Sequence, residues 1–365
     1  VNLGAGRQPG ITIASTYHWV NRAVLETVAL MQVEFGFRSE TDLDEWRRSH
    51  AAGQRPDAVP YGLDRLISPE IELATTPLQP LPTGQAVPLL FGRPTRTPTP
   101  DWLIAWDEHA ALRLLARGSG ARFGCGVIWA TDQLSGRVGE RTRARVMLRM
   151  LRPMDLIWCL SRAQLAPLRA ALGGRRTRVE FLKFGVDTDF FTPRPLPARP
   201  SVLSIGNDVD RDARTLLAAL EVVHRARPDA RLRVQYSGDL AVPLGVERLP
   251  RMTHAELREE YAATTVLAIA TRQNLHVSGM TAVLEAMATG RPVVLTRTPG
   301  AEDYVRHGEW GLLTQLGSVD DLARGILYSL DSANAARMGA AASQAASTEF
   351  SSARLADRLA GLLTR

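Results

Sequence analysis

The stretch that most constrains this chain runs from Asn274 to Leu295, NLHVSGMTAVLEAMATGRPVVL. Its spacing predicts a short helix over Met280 to Thr289, ended by Gly290, and then a buried strand over Val293 to Leu295. A polar approach made of Asn274, His276, Ser278 and Gly279 leads into the helix. Small residues there let a ligand come close to a helix start whose first amides have no partner within the helix. Such an end attracts anions, and phosphate is the usual one. Met280, Val283, Leu284 and Met287 form an apolar stripe with Glu285 beside it. Spacing leaves two readings of Glu285 open. One is a carboxylate held against the protein or a ligand, where it suits a two-pronged bond to ribose hydroxyls. The other is a solvated side chain on an amphipathic helix.

A chain of 365 residues can build two domains with proper cores. Its 45% hydrophobic and 22% charged residues are ordinary for a soluble globular protein. The net charge of +6 raises nucleic acid, an anionic membrane and a phosphate-bearing ligand as partners. Lys183 is the only lysine, and the arginines are spread along the chain instead of forming a basic tail. Without aromatics interleaved on a basic face, a nucleic-acid partner is not expected. The arginine clusters at 137–152 and 173–178 read either as solvated helix faces or as weak peripheral contacts with acidic lipid or an anionic acceptor. Cys125 and Cys159 sit in apolar runs and read as buried free thiols. No apolar run reaches the ~18 residues that a membrane span needs. The first residues lack a basic-then-apolar signal, so a reducing cytoplasm is expected.

Taken in order, Ile11 to Ser15 suggests a strand, and His18 to Val33 has helical apolar spacing. Strands are expected at Glu70 to Thr75, Trp102 to Trp106, Cys125 to Ala130, Asp155 to Leu160 and Arg178 to Phe184, with helices such as His109 to Arg117 and Ala163 to Leu172 between them. That alternation implies a parallel sheet, with ligands just beyond the strand ends. Asp107 and Asp132 fall at such ends and are candidates for the acceptor or sugar side, or caps of the turns that follow. The proline-rich 185–200 segment reads as an interdomain linker. Beyond it, strands at Val202 to Ile205, Leu232 to Tyr236 and Val266 to Ala270 alternate with helices at Ala213 to Arg227 and Ala255 to Ala263. Helices over Val319 to Leu330, Asn334 to Ser347 and Ser352 to Leu363 close the chain. Loops after the Val202 and Val266 strands can converge on one ligand. Asp-x-Asp triplets at Asp42, Asp187, Asp208 and Asp210 are too frequent to signal a metal, since a hard cation also needs converging oxygen ligands; none is expected.

SGMTAVLEAMATGRPVV followed by TPGAEDYVRHGEWGLL resembles the donor-binding region of retaining GT-B glycosyltransferases, family 4 in particular. The resemblance implies an α/β fold of two Rossmann-like domains facing a cleft: residues 1–184 for the acceptor, a linker at 185–200, 201–350 for the nucleotide sugar, and 351–365 packing back on the first domain. It implies transfer of a sugar from a nucleotide diphosphate carrier, UDP by family habit, to an acceptor hydroxyl with retention and without a metal or other cofactor. The acceptor class stays open among a natural product, a lipid and a polysaccharide. Glu285 matches the second glutamate of the family motif, while Val277 stands at the first. His276, Asn274 and Ser278 are the polar residues left to meet the sugar. After the first strand of the second domain come Gly206 and Asn207. Asn207 takes the family's arginine place and Arg211 its lysine place. Donor binding is thus assigned to Gly206, Asn207, Arg211, His276, Ser278, Gly279, Met280, Thr281 and Glu285. Arg211 and Glu285 carry catalysis, one steadying the departing diphosphate and the other fixing the ribose. The rivals are a nucleotide-sugar epimerase of the same fold and a non-catalytic nucleotide-sugar binder.

Overall fold

Two six-stranded sheets form the frame. The first holds β1 (Met31–Arg38), β2 (Ile71–Leu78), β3 (Trp102–Ala105), β4 (Arg122–Gly126), β5 (Leu156–Cys159) and β6 (Arg178–Phe181), in the spatial order β2-β1-β3-β4-β5-β6. The second holds β7 (Ser201–Ser204), β8 (Arg231–Gln235), β9 (Val246–Leu249), β10 (Val266–Ile269), β11 (Val293–Thr296) and β12 (Gly311–Thr314), in the order β12-β11-β10-β7-β8-β9. Every pairing between these strands is parallel. The computed structural model describes residues 30–80, 100–117, 120–173 and 177–365.

Helices cover both faces of such sheets, so the inner strands are apolar throughout rather than alternating. WLIA, LIWC, VLAI and VVLT are buried at every position. The chain leaves β7 in one direction for β8 and β9, and returns on its other side through β10, β11 and β12. Loops after β7 and β10 therefore diverge and open a crevice, the usual place for a ligand in such sheets. In the first lobe the same switch falls between β1 and β3.

The lobes are tied at several points. The Tyr304 hydroxyl donates to Leu160 O (2.6 Å) and accepts from Phe184 N (3.1 Å). Arg162 pairs with Asp303 at 2.6 Å. The Ser352–Leu363 helix crosses to the first lobe: Ser352 Oγ donates to Asp57 (3.0 Å), and Trp102 Nε1 donates to Leu363 O (3.1 Å).

Three expectations are corrected. The helical reading of His18 to Val33 fails where it is visible, because Met31 to Val33 begin β1. Met31, Val33, Phe35 and Phe37 alternate inward, a two-residue period that overrides the longer-spaced match. The expected strand at Cys125 to Ala130 lies earlier, at Arg122–Gly126, and Thr131 and Asp132 belong to a short helix, Ala130–Gln133. The strands β9 and β12 were not expected; each has only four residues, and β9 is a sheet edge with no fully buried position. The Ile11 to Ser15 strand and residues 18–29 lie outside the described residues.

Candidate functional site

Gly279 caps the Met280–Ala288 helix at φ 92°, and Gly206 follows β7 at φ 102°, both in the region that favours glycine. The two turns enclose one side chain. A Cβ at Gly206 would stand 2.4 Å from Arg211 Nη2, and one at Gly279 would stand 2.6 Å from Arg211 Nη1. Both glycines are therefore needed for close approach as well as for their dihedrals. Arg211 Nη2 donates to Ile205 O at 2.9 Å, while its buried Nε has no partner. Arg211 also bridges to Thr271, which joins the β7 loop to the β10 loop. Enclosure pushes the guanidinium down to about 10, so it remains a cation at neutral pH. It sits beside the first turn of the 280–288 helix, where amide dipoles also favour negative charge.

Glu285 is not solvated; it is 7% exposed and accepts a 2.7 Å bond from the buried Tyr261 hydroxyl. Burial pushes its pKa up to about 7, and the Tyr261 bond opposes that only in part. The carboxyl faces a cavity of about 200 Å³ between the lobes, shared with Thr281 and His254 from the second lobe and Trp46, Asp57 and Tyr61 from the first. Met280 is buried, and Thr281 is exposed at the helix start.

The other polar candidates are drawn into the protein. Asn274 braces its own loop, accepting from Ser278 N (3.0 Å) and donating to Arg272 O (2.8 Å). Ser278 Oγ donates to Asp208 at 2.7 Å. His276 Nδ1 lies 2.8 Å from Asp132 across the cleft and 3.9 Å from Asp210, and Nε2 lies 3.4 Å from Asp208. Burial alone would lower this imidazole, but the bonds to Asp132 and Asp208 outweigh it and raise its pKa to about 9. Burial works against ionisation of Asp208 as well, but the His276 bond prevails and holds that carboxyl well below its usual range. Asp132 also accepts from Leu275 N. It thus ties the lobes together, where the sequence left open an acceptor- or sugar-side residue and a cap of the following turn. Asn207 is exposed and lines a wider cavity of about 890 Å³ together with Asp132, Asp208, Asp210 and Asn274.

Asp107 proves to be a helix cap: one oxygen accepts from His109 N and Ala110 N, both at 2.9 Å. Its neighbour Glu108, which the sequence did not single out, is buried and gathers the amides of Ile128 (3.0 Å), Trp129 (2.9 Å) and Ala130 (2.9 Å). It holds the segment that leads into the short helix carrying Asp132. Tyr261 was missed too, although it is the one aromatic residue in the Thr253-capped helix HAELREEYA. Along the rim of the wider cavity runs the Val138–Met150 helix, whose Arg143 and Glu140 line it. Arg137, Arg141, Arg143, Arg145 and Arg149 are exposed there and make no ion pair among the described residues. Val138 and Val146 are exposed between them.

Residues 199–332 match the family model for glycosyl transferases group 1. A GDP-mannose-dependent α-(1-6)-phosphatidylinositol monomannoside mannosyltransferase of Mycolicibacterium smegmatis is 30% identical over 293 residues, 71% of this chain and 76% of that protein. Its counterpart from Mycobacterium tuberculosis is 28% identical over 281 residues, 69% and 70% of the two chains. Among solved structures, Anabaena HepE in complex with UDP-glucose superposes with a TM-score of 0.66 at 17% identity, covering 92% of this chain and 99% of the other. Sucrose-phosphate synthase from Thermosynechococcus elongatus gives 0.62 at 16% identity, with 92% and 98% covered. At those identities the structural matches speak for the two-lobed fold alone.

Proposed function

This chain belongs to the glycosyl transferases group 1 family and is a glycosyltransferase that uses a nucleotide sugar; from that premise we propose how its cleft holds the donor. The diphosphate lies against the first turn of the 280–288 helix, with the Arg211 guanidinium beneath it, and Glu285 takes the ribose hydroxyls. The observation that carries this reading is the packing of Arg211 against both glycine turns, which sets a buried cation beside the start of the 280–288 helix. Stabilising the departing diphosphate is then the main catalytic task. With no other base required, the leaving phosphate accepts the acceptor's proton on the same face, and the anomeric configuration is retained.

The donor base is either uracil, the family habit, or guanine, as in the names of the mycobacterial relatives. Sequence identity favours testing GDP-mannose first. The acceptor in this reading is a hydroxyl on a phosphate-bearing molecule such as a lipid headgroup. The unpaired arginines of the Val138–Met150 helix beside the wider cavity support that choice. A reducing compartment is part of the same reading, with Cys125 and Cys159 both buried free thiols. Among the described residues no helix is long and apolar enough to cross a membrane.

The test is a thermal-shift screen of GDP- and UDP-sugars on the wild type and on Arg211→Ala. A true donor raises the wild-type melting point by mass action and leaves the variant unmoved. Equal shifts in both proteins would discard this placement of the diphosphate.

A further inference from the structure

Tyr261 and Glu285 stand 24 residues apart and meet inside the second lobe, where the Tyr261 hydroxyl donates to Glu285 Oε2 at 2.7 Å. Tyr261 is wholly buried. Burial, and after it the charge of Glu285, push its phenol well above the usual range, so it stays protonated and acts as a donor. Glu285 Oε1 accepts no hydrogen bond among the described residues, and the carboxyl opens on the cavity of about 200 Å³ between the lobes. A carboxylate offers about four acceptor positions, so the tyrosine fills one and leaves the others to a ligand.

The tyrosine is itself held in place. Its ring meets Phe191 of the linker edge to face, with centroids 5.9 Å apart and planes at 81°. Its carbonyl accepts from Nε of the buried Arg291 at 3.0 Å. Arg291 Nη2 also donates to Ala262 O (3.0 Å) and to Pro195 O (2.8 Å). The last turn of the His254–Ala262 helix is thereby tied both to the linker and to the segment that follows the 280–288 helix. A glutamate on a helix has several staggered rotamers open to it. A donor fixed on three sides selects one of them.

We propose that Tyr261 is a positioning residue that makes the Glu285 pocket select a ribonucleotide carrier over a 2′-deoxyribonucleotide one. The inference rests on the ribose placement given above. With one oxygen tethered, the carboxylate meets the paired 2′- and 3′-hydroxyls without first losing side-chain freedom. A 2′-deoxy carrier leaves an acceptor position of a buried carboxylate unmet, which is costly and weakens its binding. Without the tether, Glu285 turns away from the missing partner, and the penalty against the deoxy carrier shrinks. Carriers built on thymidine diphosphate lack the 2′-hydroxyl and fall in the rejected class.

Isothermal titration calorimetry of the 365-residue chain with UDP, GDP and their 2′-deoxy counterparts measures this selection. The ribose form is expected to bind at least about tenfold tighter, the size of one hydrogen bond to a charged group. In Tyr261→Phe, which keeps the ring against Phe191, that ratio falls to about threefold or less, whereas loss of a merely structural tyrosine weakens both forms alike. Glu285→Ala also lowers the ratio, and adding Tyr261→Phe to it changes neither affinity by more than about twofold. The double variant lacks the buried carboxyl that Tyr261→Phe leaves unmet, so its fold does not depend on that bond. A ratio kept in Tyr261→Phe, or equal effects of Tyr261→Phe with and without Glu285→Ala, would overturn the inference and leave the ribose placement standing. A ratio near one in the wild type, unaltered by Glu285→Ala, would discard the ribose placement and the inference with it.

Discussion

Asp107 in the first lobe and Glu285 in the second are both buried carboxyl groups near the cleft, and their surroundings differ in kind. Asp107 accepts the amides of His109 and Ala110, two residues of the helix it begins. Its neighbour Glu108 is likewise filled by three amides of the adjoining loop. Glu285 is a helix-interior residue with no loose amides in reach, and one hydroxyl, that of Tyr261, meets its carboxyl. Burial accordingly dominates and lifts its pKa to about 7. Arg211, in the same lobe, has a buried Nε without any partner. Asp107 and Glu108 in the first lobe hold loops, whereas Glu285 and Arg211 in the second are under-satisfied beside cavities open to a ligand. Under-satisfied, desolvated groups mark sites because a ligand can add the missing interaction.

The strongest way to break that contrast is Arg211→Ala. Removing one preorganised donor from a site of developing negative charge costs on the order of 10²–10³ in turnover. Steady-state kinetics with the donor found in the screen should show a loss of that size in kcat/KM, with a smaller loss for Arg211→Lys, which keeps the charge but not the fork. Less than about a threefold change in Arg211→Ala would mean that the guanidinium is structural. Gly279→Ala sharpens the same point, because φ is 92° and the added Cβ would stand 2.6 Å from Nη1. Donor affinity should fall about tenfold, consistent with 1–2 kcal/mol of strain and displacement.

Next in size is the pH dependence of Glu285. Its folded pKa, about 7, lies above the ordinary 4.5. The neutral acid's contribution is therefore whole below pH 4.5 and is lost as pH rises through 7. Across that window the wild type should lose up to roughly 3 kcal/mol relative to Glu285→Gln, whose side chain does not titrate. Asp57, also raised to about 7, titrates in both proteins and cancels in the difference. Parallel denaturant-midpoint curves for the two proteins from pH 4 to 8 would show that Glu285 is better solvated than its 7% exposure implies.

The second lobe was the more legible in the sequence, and the reason is physical. Its helix start, apolar stripe and following strand lie within Asn274 to Leu295, so local period and glycine placement locate them. The nearness of Arg211 to Gly279 could be anticipated from two strand-end loops, though not the exclusion of a Cβ at both glycines. What spacing could not give was the fate of polar side chains. His276 and Ser278 look alike as sugar ligands, yet they turn to Asp132 and Asp208, which lie 144 and 70 residues away. In the first lobe the alternation of Met31, Val33, Phe35 and Phe37 was the available signal for β1, and a longer-spaced apolar match hid it. Asp57 and Tyr61 reach the Glu285 cavity from irregular backbone, each at a positive φ, whose path no periodicity encodes.

The smallest effect tests the other half of the contrast. Asp107→Ala removes a cap that satisfies two amides at the start of the Glu108–Arg117 helix. Loss of such a cap costs about 1 kcal/mol. A denaturant melt should detect that loss, while kcat and KM for donor and acceptor stay within about twofold, because ~1 kcal/mol in a distant helix start leaves the reacting groups where they were. Asp107 stands at the end of β3, where ligands of parallel sheets are often held, so the result carries weight. If acceptor KM rose tenfold with stability unchanged, the first lobe would also keep an uncommitted acid at the cleft. The division between a lobe that holds loops and a lobe that holds ligand would then fail from its weaker side.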